Sequence, residues 1–134
     1  MSRVFITGIG GLLGSTLAGH LLMKGEYEVA GCDTFIGGIK SNVPENAEFH
    51  NVDILDYETL KEIMGKADIV FHAAALPYEG LSVFSPKVTV ESIVSGTTSV
   101  ASACLHNDVR LLINCSSMAR YGAQVPPFTE DMKP

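Results

Sequence analysis

The stretch "TGIGGLLG", residues 7–14, constrains the fold of this chain more than any other. The apolar run "RVFIT" (3–7) enters these glycines as a buried strand would. Behind them, apolar residues at positions 12, 13, 17, 18, 21 and 22 follow helical spacing from Leu12 to Lys24, and Gly25 is a stop signal. A strand that turns through glycines into a helix can cradle phosphate when the spacing fits. The G-x-G-x-x-G spacing fails, because Leu13 stands at its last glycine position. The G-x-x-G-x-x-G spacing fits, with Gly8, Gly11 and Gly14. In such a loop Gly8 permits the tight turn, Gly11 lets backbone approach a pyrophosphate, and Gly14 lets helix and strand pack closely. The helix N-terminus adds free N–H groups and the positive end of the helix dipole. A P-loop phosphotransferase is a poor fit, since no Lys precedes Ser15.

The remaining chain keeps alternating. "YEVAGCD" (27–33) reads as a second strand and "FIGGIKSNVPENA" as a Gly-, Asn- and Pro-rich loop. "EFHNVD" (48–53) is a short third strand, and "DYETLKEIMG" (56–65) a helix capped by Asp56 and stopped by Gly65. "ADIVFHAAA" (67–75) is a fourth strand, residues 87–106 a long helix, and "VRLLINCSS" (109–117) a fifth strand. Alternating β and α with apolar strands predicts an α/β fold: a Rossmann-like, doubly wound parallel sheet with right-handed crossovers. Five strands are expected, in the order 3-2-1-4-5. At 134 residues the chain is about one domain.

Asp33 ends the second strand about twenty residues after the glycines. A carboxylate there accepts hydrogen bonds from ribose hydroxyls and repels a 2′-phosphate, so NAD is expected rather than NADP. Other ligand classes find little support. The net charge is −6 and Lys and Arg are scattered singly, which argues against nucleic acid and anionic membranes as partners. No apolar run reaches the roughly 18 residues of a membrane span, and "MSRVFITG" does not read as a secretory signal. Cys32, Cys104 and Cys115 form no C-x-x-C pair, and the four histidines are dispersed, so neither disulfides nor a metal site are expected. Ordinary thiols fit a reducing, cytoplasmic location.

Taken in order, these motifs resemble the extended short-chain dehydrogenase/reductase family, the NAD-dependent epimerases and dehydratases of nucleotide sugars. The resemblance runs along essentially the whole chain. "TGIGGLLG" is similar to that family's T-G-x-x-G-x-x-G, "GCD" to its acidic strand end, and "NVDILD" to its adenine-holding segment. "VFHAAALP" resembles its H-x-A-A stretch, "LLINCSSMARYG" its S-S-x-x-x-Y-G strand end, and "PFTED" the segment that follows. The resemblance implies that Leu12 and Leu13 present N–H groups to a pyrophosphate and that Asp33 and Thr34 face the adenosine ribose. It implies that Asp53 and Ile54 hold adenine. Ala73, Ala74, Ala75 and Cys115 would line the cofactor. Ser117 would be the catalytic hydroxyl, bonded to the substrate oxygen at the carbon that exchanges hydride. Pro77, Tyr78 and Met118 would face a small-molecule substrate. Pairing of long helices, frequent in the family, implies a homodimer. One position departs from the pattern: Ile93 stands where the family usually carries Asn before its helical G-T.

The family's Tyr-x-x-x-Lys pair follows its Ser, the Tyr as general acid/base and the Lys lowering the Tyr pKa. Here "YETLK" (57–61) precedes Ser117, in a crossover helix, and is read as structural; four residues after Tyr121 stands Val125. The chain is therefore expected to be the N-terminal, cofactor-binding part of a longer enzyme, truncated before the later strands and inactive alone. The alternative is a non-catalytic NAD(P)-binding module with a regulatory or redox-sensing role.

Overall fold

The computed structural model describes residues 1–76, 78 and 80–133. Pro77, one of the residues expected to face substrate, lies outside them. Five parallel strands form one sheet in the order β3-β2-β1-β4-β5, as the alternation predicts. They are β1 (Ser2–Thr7), β2 (Tyr27–Cys32), β3 (Glu48–His50), β4 (Ile69–His72) and β5 (Leu111–Asn114). The central strand β1 pairs with both β2 and β4, so that Thr7 stands level with Cys32 on one side and His72 on the other.

Side chains along β1 alternate between two cores, as the two-residue period of a strand requires. Val4 and Ile6 point to one face, where they meet Val29, Ile9 and Ala18 of α1 (Leu12–Lys24). Phe5 points to the other, with Ala30 and Val70. That second core is closed by Leu60 and Met64 of α2 (Tyr57–Met64) and by Val100, Ala103 and Cys104 of α5 (Gly96–His106). Full burial of a side chain such as Leu60 contributes about 1.5–3 kcal/mol.

The helix signals hold well. α1 ends where Gly25 takes φ 68° and its N–H donates to the Leu22 carbonyl at 3.1 Å. α2 begins where the Asp56 side chain accepts the Thr59 N–H at 3.3 Å. Strand ends are shorter than the apolar runs suggest. β3 stops at His50 because Asp53 folds the chain into a turn, its carboxylate accepting the Leu55 N–H at 2.9 Å. β5 starts only at Leu111 because Asn107 and Asp108 make a tight helix exit, Asp108 at φ 53°. Asn107 ties that exit to α2 by donating its side-chain N–H to the Lys61 carbonyl at 2.9 Å.

The long helix expected over 87–106 is interrupted. It comprises α4 (Pro86–Val90), a π turn (Glu91–Ser95) and α5, and the short α3 (Leu81–Phe84) precedes it. A single turn such as α3 is too short to show a helical period. The π turn sets Gly96 flush against Ile54, where a Cβ would lie 2.5 Å from Cδ1. Taken together with its π turn, the helical stretch Pro86–His106 is, by length and composition alone, apolar enough to cross a bilayer. The search for unbroken apolar runs passes over this helix, because small and hydroxyl residues lengthen the window without forming such a run. One face of the run packs on α2 and β4.

Burial separates the three thiols. Cys32 is pushed up to about 12, by burial first and then by the charges of Asp33 and Asp53, and Cys104 to about 11 by burial. Cys115 is exposed. A thiol-alkylating reagent is therefore expected to label Cys115 alone in the native protein and all three cysteines after denaturation, read by peptide mass spectrometry. Native labelling of Cys32 would contradict the closed core.

Candidate functional site

At the C-terminal edge of β1 the chain turns sharply, with the Gly8 N–H donating to the Cys32 carbonyl at 2.8 Å and the Gly11 N–H to the Gly8 carbonyl at 3.0 Å. Gly8 has φ 74°, a conformation that disfavours a side chain. α1 then docks on this turn so closely that a Cβ on Gly14 would sit 2.2 Å from the Gly8 carbonyl oxygen. The amides of Leu12, Leu13 and Gly14 lie in the first helical turn, where helix geometry supplies no preceding carbonyl. They are donors for an anion. Leu12 and Leu13 are themselves exposed large apolar residues at this edge.

Asp33 is held beside the loop. Its carboxylate accepts the Gly10 N–H at 2.9 Å and the Phe35 N–H at 2.7 Å. The segment after it folds back onto the glycines, with the Ile39 N–H donating to the Gly10 carbonyl at 2.9 Å. Phe35 adopts φ 60° and stacks on Phe49 with ring centroids 5.1 Å apart. Gly10 is enclosed by this packing: a Cβ there would lie 2.7 Å from the Phe35 ring. The glycine spacing in the sequence treats Gly10 as a spacer. Its constraint comes from a residue that only the fold brings near.

One cavity of about 470 Å³ joins these parts. Gly8, Gly11, Leu12, Leu13 and Gly14 line one wall, with Asp33 and Thr34 beside them. Asp53 and Ile54 form the far end, and Ala73, Ala74 and Ala75 the wall from β4. These twelve residues, expected at the site from four separate segments of the sequence, thus line one space. Sequence reasoning misses Ile36, Gly37 and Gly38, which the folded-back loop contributes, and Val88, Glu91 and Ser92 from α4 and the π turn. No local pattern marks the latter three, because the π turn that orients them is not visible as a period.

Other expected residues lie elsewhere. Cys115, Ser117 and Met118 are exposed beyond the end of β5, outside the cavity lining, and Tyr78 is exposed too. The Cys115 N–H donates to the His72 carbonyl at 3.2 Å, which fixes this edge to β4. The Ser117 hydroxyl accepts the Ala119 N–H at 3.1 Å and so caps the turn that leads to Tyr121. Tyr121 stacks on Phe128 at 5.0 Å. Tyr57 and Lys61 sit on α2, Lys61 paired with Glu58 and lying 5.4 Å over the Tyr57 ring. Neither lines the cavity.

The cavity is polar in two different senses. Unpaired amides and the α1 dipole favour an anion at one side, whereas Asp33, Asp53 and Glu91 offer acceptors to hydroxyl and amine groups at the other. A nucleotide carries both kinds of group. A family model described as the NAD dependent epimerase/dehydratase family matches residues 4–134. The chain belongs to that family.

Relatives within the NAD-dependent epimerase/dehydratase family differ in their reactions. The UDP-glucuronate 4-epimerase of Thermodesulfobacterium geofontis is 29% identical over 99% of this chain and 45% of its own length. A UDP-N-acetyl-alpha-D-glucosaminuronate decarboxylase of Bacillus cytotoxicus is 32% identical over 96% of this chain and 40% of its own length. The UDP-glucose 4-epimerase of Brucella ovis, solved in complex with NAD, superposes with a TM-score of 0.86 at 33% identity, covering 95% of this chain and 39% of that one. The chain therefore spans less than half the length of these epimerase/dehydratase relatives.

Proposed function

We propose that this chain is the cofactor-binding part of an NAD-dependent epimerase, dehydratase or dehydrogenase acting on a nucleotide sugar or a related hydroxy or keto substrate. The observation that carries the reading is the cavity in which the glycine loop, Asp33, Asp53 and the Ala73–Ala75 wall converge. Its lining suits a dinucleotide. Gly14 and Gly8 meet backbone to backbone, leaving the first-turn amides open for a pyrophosphate. Asp33 spends two acceptor sites on the Gly10 and Phe35 amides, and a carboxylate has about four, so two remain for ribose hydroxyls.

When bound, NAD supplies hydride transfer at its nicotinamide. The residues of this chain orient and exclude. Gly8 to Gly14 would hold the phosphates, Asp33 and Thr34 the adenosine ribose, and Asp53 and Ile54 the adenine. Ser117 would orient the substrate oxygen, with Cys115 beside the cofactor and Pro77, Tyr78 and Met118 toward the substrate. The Tyr and Lys of a Ser–Tyr–Lys set would come from outside this sequence, and the chain by itself would turn over no nucleotide sugar. Two copies would pair through the long helix, where Val90, Ile93 and Val94 are exposed. Three unpaired cysteines fit a reducing cytoplasm.

Calorimetric titration with NAD and with NADP tests the reading. Tighter binding of NAD is expected. Tighter binding of NADP would overturn the role given to Asp33, and binding of neither would overturn the reading as a whole. The non-catalytic alternative draws on Ile93, which is exposed on the long helix. Hydride transfer with a UDP-sugar, absent from the protein even when joined to its later strands, would favour that alternative.

A further inference from the structure

His72 is 4% exposed at the end of β4, although the rest of that strand is Ile69, Val70 and Phe71. An apolar residue would fill such a place without the cost of burying a polar ring whose hydrogen bonds go unmade. Both ring nitrogens are in fact engaged. Nδ1 lies 2.7 Å from Thr7 Oγ1, and Nε2 lies 2.9 Å from Thr97 Oγ1. Thr7 Oγ1 also accepts the Ala74 N–H at 3.2 Å. A line of hydrogen bonds thus runs from the Ala74 backbone through Thr7 and the imidazole to Thr97. Burial lowers the His72 pKa, which keeps the ring neutral. A neutral imidazole donates from one nitrogen and accepts at the other, which lets it bridge two hydroxyls.

One end of this line lies on the cavity wall, and the other lies in α5, just after the π turn whose Glu91 and Ser92 line the cavity. Ala74 belongs to the β4 wall and faces the glycine turn, its Cα 2.9 Å from where a Gly8 Cβ would stand. Thr97 follows Gly96, which abuts Ile54, and closely succeeds the π turn that carries Glu91. We infer that His72 is a positioning residue, bridging Thr7 and Thr97 so that the Ala73–Ala75 wall and the π-turn wall hold one fixed spacing across the cavity. For its effect on ligand affinity this inference rests on the proposed NAD-binding role. Its effect on the backbone does not.

Thr97 is only partly buried, so the line can be cut there without opening the core. Thr97→Val removes the hydroxyl, and Thr97→Ser restores it. In the ligand-free protein, Thr97→Val is expected to speed hydrogen exchange of the Ala74 amide about tenfold while leaving the Val29 amide on β2 unchanged. NAD affinity is expected to fall about fivefold, and Thr97→Ser to return both readings to within about twofold of the parent. A Thr97→Val protein whose exchange changes only along its own helix would overturn the bridge, as would a Thr97→Ser protein that behaves like Thr97→Val. Failure of the parent to bind NAD would sink the proposed function, and the Ala74 exchange would still decide the role of His72.

Discussion

Exchanging Asp33 for Asn is expected to weaken NAD binding by about 10- to 100-fold and to narrow the preference over NADP. The carboxylate has two duties. It accepts two backbone amides, from Gly10 and Phe35, and it presents its remaining lone pairs to the cavity. Asn keeps one oxygen and replaces the other with an NH₂ group. Whichever way the amide turns, one backbone N–H then faces another donor instead of an acceptor. The folded-back segment loses part of its anchor at Phe35, a residue already in a left-handed conformation. The charge that repels a 2′-phosphate disappears in the same step. Titration of the Asp33→Asn protein with both dinucleotides reads each part. An unchanged ratio of NAD to NADP affinity would show that Asp33 does not choose the cofactor.

The sequence reveals this site unevenly, and the reasons are physical. Features set by neighbours in the chain are legible. Gly25 as a helix stop, Asp56 as a cap and the glycine turn after β1 each depend on contacts within a few residues. The sheet order follows from alternating strands and helices, since crossover handedness leaves few arrangements. Features set across the fold are not legible. Gly10 is constrained by Phe35, and Gly96 by Ile54, both far along the chain. The interrupted helix at Glu91–Ser95 brings Glu91 and Ser92 to the cavity, yet its residues show only an ordinary apolar pattern. His72 appears in the sequence as one member of an H-x-A-A stretch. That its ring joins two threonines is a property of the register that sets Thr7 level with it.

Two glycines of α1 should respond oppositely to the same substitution. At Gly14 an added Cβ would lie 2.2 Å from the Gly8 carbonyl oxygen and 2.9 Å from the Ile9 Cα. Both obstacles are backbone, so no side chain can swing aside. α1 must lift off the turn, and its first-turn amides leave the cavity wall with it. Gly14→Ala is expected to cost about 3 kcal/mol, lowering the melting midpoint by roughly 10 °C, and to abolish measurable NAD binding. At Gly19, within the same helix, an added Cβ would meet nothing within 4 Å. There the substitution only removes the backbone freedom that glycine loses on folding. Gly19→Ala is expected to stabilise by roughly 0.5–1 kcal/mol and to leave NAD affinity unchanged. Helix propensity alone predicts a gain at both positions, so the sign at Gly14 isolates the docking of α1 on the turn. A Gly14→Ala protein that melts higher than the parent would mean that the helix does not rest on Gly8, and the phosphate cradle built on that contact would go with it.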